Sequence, residues 1–312
     1  VDSFIFFKNF RRHRLSGAYV IAVGNLTIGG AGKSSLARWL ALQAADLGAR
    51  AAVLLRGHGT TERAARPTVV PDFAGYPLAR RVARFGDEAA AHRTALPKEV
   101  AVLVDPARWR AARAAVAGYG ARVIVLDDGW EQPDLRWDEL WVVIDPRRPA
   151  GNGALLPAGA LRRPPATLRE ATRLACVLEE PSEDVPAETR AWLDRHAPGT
   201  PLLRFRRVLR GISPVGLKEA LETPRAGVKV ALLSAVGSPR RLERFARGAG
   251  LDWRWHAAFP DHAAWDRASL AGALRECRES GAELLLLTEK DEPRWPDALK
   301  SPLPVRVLRT DL

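Results

Sequence analysis

The residues best equipped for chemistry are Thr27-Ile28-Gly29-Gly30-Ala31-Gly32-Lys33-Ser34. A glycine-rich loop ending in Gly-Lys-Ser can turn its backbone N–H groups onto phosphate oxygens. Lys33 then reaches the β- and γ-phosphates, and the Ser34 hydroxyl suits a magnesium ion. Thr27 stands where the strict signature has its first glycine. A second group is Asp127-Asp128, which closes the apolar run Val123-Ile124-Val125-Leu126. Carboxylates at such a strand end can hold the same ion. Phosphoryl transfer to a hydroxyl also needs a proton acceptor. Asp87, in Gly86-Asp87-Glu88, and His262, in Phe259-Pro260-Asp261-His262, are the candidates, and a carboxylate bonded to a histidine would raise its basicity. Asp87 equally suits a helix N-cap and His262 a capping or surface position. Thr288-Glu289-Lys290-Asp291 at a later strand end reads equally as a salt-bridged turn.

These groups need elements that bring them together. Ala18-Tyr19-Val20-Ile21-Ala22-Val23 reads as a buried strand before the loop, and Ser35 to Leu42 as a helix after it. Further apolar runs lie at 51–55, 100–104, 122–126, 140–144 and 175–178, with helical stretches at 85–95, 109–117 and within 179–201. Strands that are apolar throughout and alternate with helices predict a parallel sheet covered on both faces. In such sheets ligands sit at the carboxyl ends of the strands. The glycine-rich loop, Arg56-Gly57-His58, Arg108 and Asp127-Asp128 all follow strands or lie close to one, so they can share one crevice. Residues 202–212 read as one basic strand, and a second α/β unit begins at Val228, with a helix over 239–249 and strands at 284–288 and 305–308. The organisation expected is an N-terminal segment 1–17, a P-loop lobe 18–210 and a smaller α/β lobe 211–312.

At 312 residues and 47% hydrophobic content the chain can bury a large core. Its net charge of +12 suits a nucleic acid, an anionic membrane or a phosphorylated substrate. Cys176 and Cys277 lie far apart, form no metal-binding spacing and point to a reducing compartment. No run reaches the length of a membrane span. Phe4-Ile5-Phe6-Phe7 and Phe10, interleaved with Lys8, Arg11, Arg12 and Arg14, suit the headgroup region of an anionic bilayer.

Taken together, the motifs resemble the tetraacyldisaccharide 4'-kinase family. The matching pieces run in order: Val23-Gly24-Asn25-Leu26-Thr27 through Ser34, Arg56-Gly57-His58-Gly59, Gly86-Asp87-Glu88, Asp127-Asp128-Gly129, Gly151-Asn152-Gly153, Leu155-Leu156-Pro157-Ala158-Gly159 with Leu161-Arg162, Phe259 to His262, and Thr288 to Asp291. The family also carries Ser or Thr at the Thr27 position. The resemblance implies a P-loop kinase fold of two α/β lobes. It implies ATP-dependent phosphorylation of the 4'-hydroxyl of a tetraacyldisaccharide 1-phosphate, giving lipid IVA, with Mg²⁺.

By position, Asp87 matches the catalytic carboxylate, His262 its partner, and Lys33 a catalytic nucleotide contact. Thr27, Gly29, Gly30, Ala31, Gly32, Lys33, Ser34 and Ser35 fall to the nucleotide. Ser34, Asp127 and Asp128 fall to the metal, and Arg56, Glu88, Arg108 and Arg162 to phosphate or substrate. The resemblance further implies a monomer at the cytoplasmic face of the bacterial inner membrane, with a lipid disaccharide and an anionic surface as partners and no nucleic acid. The chain departs from the family at several places, among them Ala263, where the family has a second histidine or aromatic after Asp-His. Asp-Asp-Gly-Phe-Gln-His is Asp127-Asp128-Gly129-Trp130-Glu131-Gln132, Leu-Arg-Glu-Pro is Leu161-Arg162-Arg163-Pro164, and Arg-Gly-Tyr-Gly has His58 in third place.

Overall fold

A computed structural model describes residues 13–57, 67–73, 76, 78–132, 134–260, 263, 265–296 and 299–312. The aromatic-basic N-terminal cluster, His58, Asp261 and His262 lie outside the described residues. Two sheets form.

The first sheet takes β1 (Tyr19–Asn25), β2 (Ala51–Leu55), β3 (Thr68–Val69), β4 (Ala101–Val104), β5 (Val123–Asp127), β6 (Glu139–Ile144), β7 (Arg173–Leu178) and β8 (Leu202–Arg206) in the order β3-β4-β2-β5-β1-β6-β7-β8. Every pairing is parallel except β3 on β4. The apolar runs are explained by both faces being covered. Along β5, Val123 and Val125 pack toward α1 (Lys33–Asp46), α2 (Leu78–Phe85) and α3 (Asp87–Ala95). Ile124 and Leu126 pack toward α4 (Arg108–Tyr119) and α5 (Ala187–His196).

The second sheet takes β9 (Val208–Pro214), β10 (Lys229–Ser234), β11 (Asp252–Ala258), β12 (Leu284–Thr288) and β13 (Val305–Asp311) in the order β11-β10-β12-β13-β9, with only β9 antiparallel. Helix α6 (Pro239–Gly248) covers one face and α7 (Arg267–Glu279) the other. α7 starts in a capping box between Asp266 and Ser269.

Three details differ from the sequence reading. The single strand expected over 202–212 is two strands in different sheets, which part at Arg207. The helix expected from Phe85 is α3 preceded by a separate α2, because Gly86 between them has φ 84°. Strand β11 and helix α7 were not foreseen.

Candidate active site

The chain reverses direction across the first sheet at its centre, where β1 lies between β5 and β6. Loops at such a switch point diverge and leave a crevice at the carboxyl ends of the strands. A cavity of about 990 Å³ opens there, between the two sheets. Residues Gly29 to Ser35 line it, as do Arg56, Asp87, Glu88, Arg108, Asp127, Asp128 and Arg162. The expected groups of the first lobe therefore converge, with one exception. Thr27 is not part of the lining: it forms a bridge to Leu161, and its carbonyl accepts from the Asn25 amide. The second sheet contributes Gly237, Ser238, Arg241, Thr288, Glu289, Lys290 and Arg294.

The glycine-rich loop enters α1 through Gly32, whose φ of 105° lies in the left-handed region. A side chain there would be strained, and its Cβ would come within 3.0 Å of Val177. Helix α1 thus begins at Lys33 with its first amides facing the cavity, where an anion is favoured. Lys33 Nζ donates to Asn25 Oδ1 at 2.9 Å and lies 3.6 Å from Asp128 Oδ1. Arg162 reaches both oxygens of Asp128, at 3.0 and 3.1 Å. Asp128 has φ 53°, a left-handed backbone uncommon outside glycine, which turns its carboxylate from the strand toward these cations.

Asp127 ends β5 and is buried. Burial alone would raise its pKa, but the hydrogen bond and charge of His92, with Lys33 and Ser34, hold it down to about 2. Its Oδ2 lies 2.8 Å from His92 Nε2, and its Oδ1 has no hydrogen-bond partner. The Glu88 carboxyl is pushed up to about 7 by burial and by the charges of Asp127 and Asp87. Burial and neighbouring Arg56 lower Arg108 to about 10.

Asp87 is the first residue of α3, not its N-cap, which is Gly86. Its carboxylate is buried: Oδ1 accepts from the Glu88 N–H at 2.9 Å, and Oδ2 pairs with Arg294. Arg294, in the turn Glu292–Arg294, also donates to the Ala235 carbonyl and to Asp291. A second bond between the sheets is deeper. Arg241 donates to Glu179, to the Val177 carbonyl and to the Gly30 carbonyl of the glycine-rich loop. Arg207 holds the other oxygen of Glu179 and reaches Ser35 Oγ. Arg38 pairs with Glu289 at 2.8 Å.

Asn25, His92, Arg241 and Arg294 were missed by sequence reasoning. Only Asn25, at a strand end beside the loop, carried a local signal. Two of the family departures find partners. Arg163 pairs with Glu170 and lies over the Trp130 ring, and Gln132 donates to Asp134 at 2.6 Å.

A glycine-rich loop between the central parallel strand and a helix, with a carboxylate pair at the end of the neighbouring strand, defines a P-loop α/β protein built around a phosphate site. The chain belongs to the tetraacyldisaccharide-1-P 4'-kinase family, LpxK, whose profile matches residues 4–311. It is 38% identical over 300 residues to the tetraacyldisaccharide 4'-kinase of Anaeromyxobacter dehalogenans strain 2CP-C, spanning 95% of this chain and 78% of that one. It is 36% identical over 309 residues to the enzyme of the same name from Syntrophobacter fumaroxidans, spanning 97% and 78%. The fold is that of LpxK from Aquifex aeolicus, solved in complex with ATP: the TM-score is 0.66 at 22% identity, over 96% of this chain and 84% of that one.

Proposed function

We propose that this chain transfers the γ-phosphoryl group of ATP to the 4'-hydroxyl of a tetraacyldisaccharide 1-phosphate, forming lipid IVA in lipid A biosynthesis. The observation that carries the reading is the convergence of the P-loop, the strand-end carboxylates and buried Asp87 on one cavity. The P-loop amides and Lys33 neutralise the phosphates, and Lys33 moves from Asn25 and Asp128 to reach them. Asp87 takes the proton of the 4'-hydroxyl as its oxygen bonds to the γ-phosphorus; the bond from that phosphorus to the β–γ bridging oxygen breaks, and ADP leaves. His262 is the proposed partner of Asp87. Arg56, Glu88, Arg108 and Arg162 line the acceptor and phosphate side of the cavity.

The wall beside Lys33 fits a magnesium ion. Asp127 Oδ1 is a buried oxygen without a partner, and the Ser34 hydroxyl and Asp128 are hard oxygen donors alongside it. When bound, the ion neutralises charge on the β- and γ-oxygens. We assign residues through Arg207 to a nucleotide lobe and the remainder to a lobe that closes the cavity. The setting proposed is the cytoplasmic face of the inner membrane. No helix among the described residues is long and apolar enough to cross a membrane. The +12 charge and the aromatic-basic sequence at the N-terminus support contact with an anionic surface.

The test is incubation of the purified chain with γ-labelled ATP, Mg²⁺ and a tetraacyldisaccharide 1-phosphate in mixed micelles. Label in the lipid is expected. Label entering only a soluble sugar without detergent, or no transfer to lipid by an ATP-binding protein, overturns the reading.

A further inference from the structure

Helix α3 is rich in alanine, yet it buries an imidazole. His92 is 1% exposed and lies one turn after Glu88, on the face turned to β5. Its Nε2 is 2.8 Å from Asp127 Oδ2, while its Nδ1 is buried with no partner. A side chain selected only to fill space would be apolar there, because an orphaned buried nitrogen carries a desolvation cost. His92 therefore does something that packing does not require. By donating from Nε2 it fixes one oxygen of Asp127 and leaves the other, Oδ1, unpartnered on the wall that Lys33 and Ser34 share. Ligating carboxylates in metal sites are oriented by just such outer hydrogen bonds.

We propose that His92 is a positioning residue for the cation, acting through Asp127: it aims Oδ1 at the ion or at one of its water ligands. The inference rests on the phosphotransferase reading. Nothing in the spacing of Gly86-Asp87-Glu88 demands a histidine four residues on. Arg93, next in sequence, is turned away to the carbonyls of Val100 and Leu96, so the two adjacent side chains serve different purposes.

The experiment is Mn²⁺ binding to the full chain in the presence of ADP, read by electron paramagnetic resonance, with metal-free ADP affinity and a thermal melt measured on the same samples. His92→Leu is expected to weaken Mn²⁺ binding about 10- to 100-fold, with metal-free ADP affinity unchanged. His92→Gln, which can still donate to Asp127, is expected to restore most of it. In an Asp127→Asn background His92→Leu is expected to add nothing. If the leucine variant fails to melt cooperatively, His92→Asn, polar but too short to reach, is expected to show the same weakening. A folded His92→Leu or His92→Asn protein that binds Mn²⁺ as the parent does overturns the inference alone. A parent chain that holds no Mn²⁺ with ADP overturns the phosphotransferase reading and this inference with it.

Discussion

Replacing Arg241 by methionine tests how the two sheets are held around the cavity. Arg241 and Glu179 are almost completely buried, and all three guanidinium nitrogens are used. Methionine keeps most of the aliphatic volume but removes the charge. Breaking a buried pair costs roughly 3–5 kcal/mol because the partner is left uncompensated. Here Arg207 still holds Glu179 Oε2 at 2.9 Å, which places the loss near the lower end. The Val177 and Gly30 carbonyls lose a donor as well, but the Gly30 side opens on the cavity, where water can replace it. The sum is about 3 kcal/mol, or about 5 °C in melting temperature for 312 residues. Because Gly30 belongs to the P-loop, nucleotide affinity falls too. The matched control is Arg225→Met, which breaks an exposed pair with Glu283 and is expected to cost less than about 1 kcal/mol. Calorimetry on the three proteins decides. If Arg241→Met melts with the parent and binds ADP equally well, the Arg241–Glu179 contact does not hold the lobes.

Asp87→Asn is expected to lower kcat by about 10²–10⁴ while the KM for ATP stays close to that of the parent, measured by initial rates at saturating lipid. Gly32→Ala forces a side chain into a left-handed position 3.0 Å from Val177 and is expected to destabilise by roughly 1–2 kcal/mol and to impair ADP binding. Gly272→Ala, inside α7 with open space around it, is expected to stabilise by about 0.5–1 kcal/mol; denaturant titration reads both. Arg294→Ala removes the guanidinium shared by Asp87 and Asp291 and is expected to lower the melting temperature more than Arg294→Lys does.

The first lobe was readable because its physics is local. Strands buried on both faces must be apolar at every position, and Gly-Lys-Ser after one of them needs only its neighbours to declare a phosphate loop. Asp127 and Asp128 were visible as the end of such a run. What escaped is non-local. Arg241 and Glu179 lie 62 positions apart, and neither stands out in sequence from the many other charged residues. His92 sits in an alanine-rich helix with no apolar stripe to mark a buried face, so its position in the core depends on β5. The segment 202–212 looked continuous because both strands are basic and of similar length; its break at Arg207 comes from that side chain being drawn to Glu179 and Ser35. Strand β11 carries two half-buried tryptophans at the edge of its sheet, a weaker pattern than the apolar runs of the interior strands.

Phosphoryl transfer assisted by Asp87 is tested most directly by a single-turnover experiment. Purified parent and Asp87→Asn proteins are mixed with γ-labelled ATP and tetraacyldisaccharide 1-phosphate, and the product is located by phosphorus NMR. A new phosphate monoester at the 4'-oxygen is expected with the parent, and a rate at least about 100-fold lower with the variant at equal nucleotide affinity. A phosphate at any other oxygen, or an Asp87→Asn protein as fast as the parent, would contradict it.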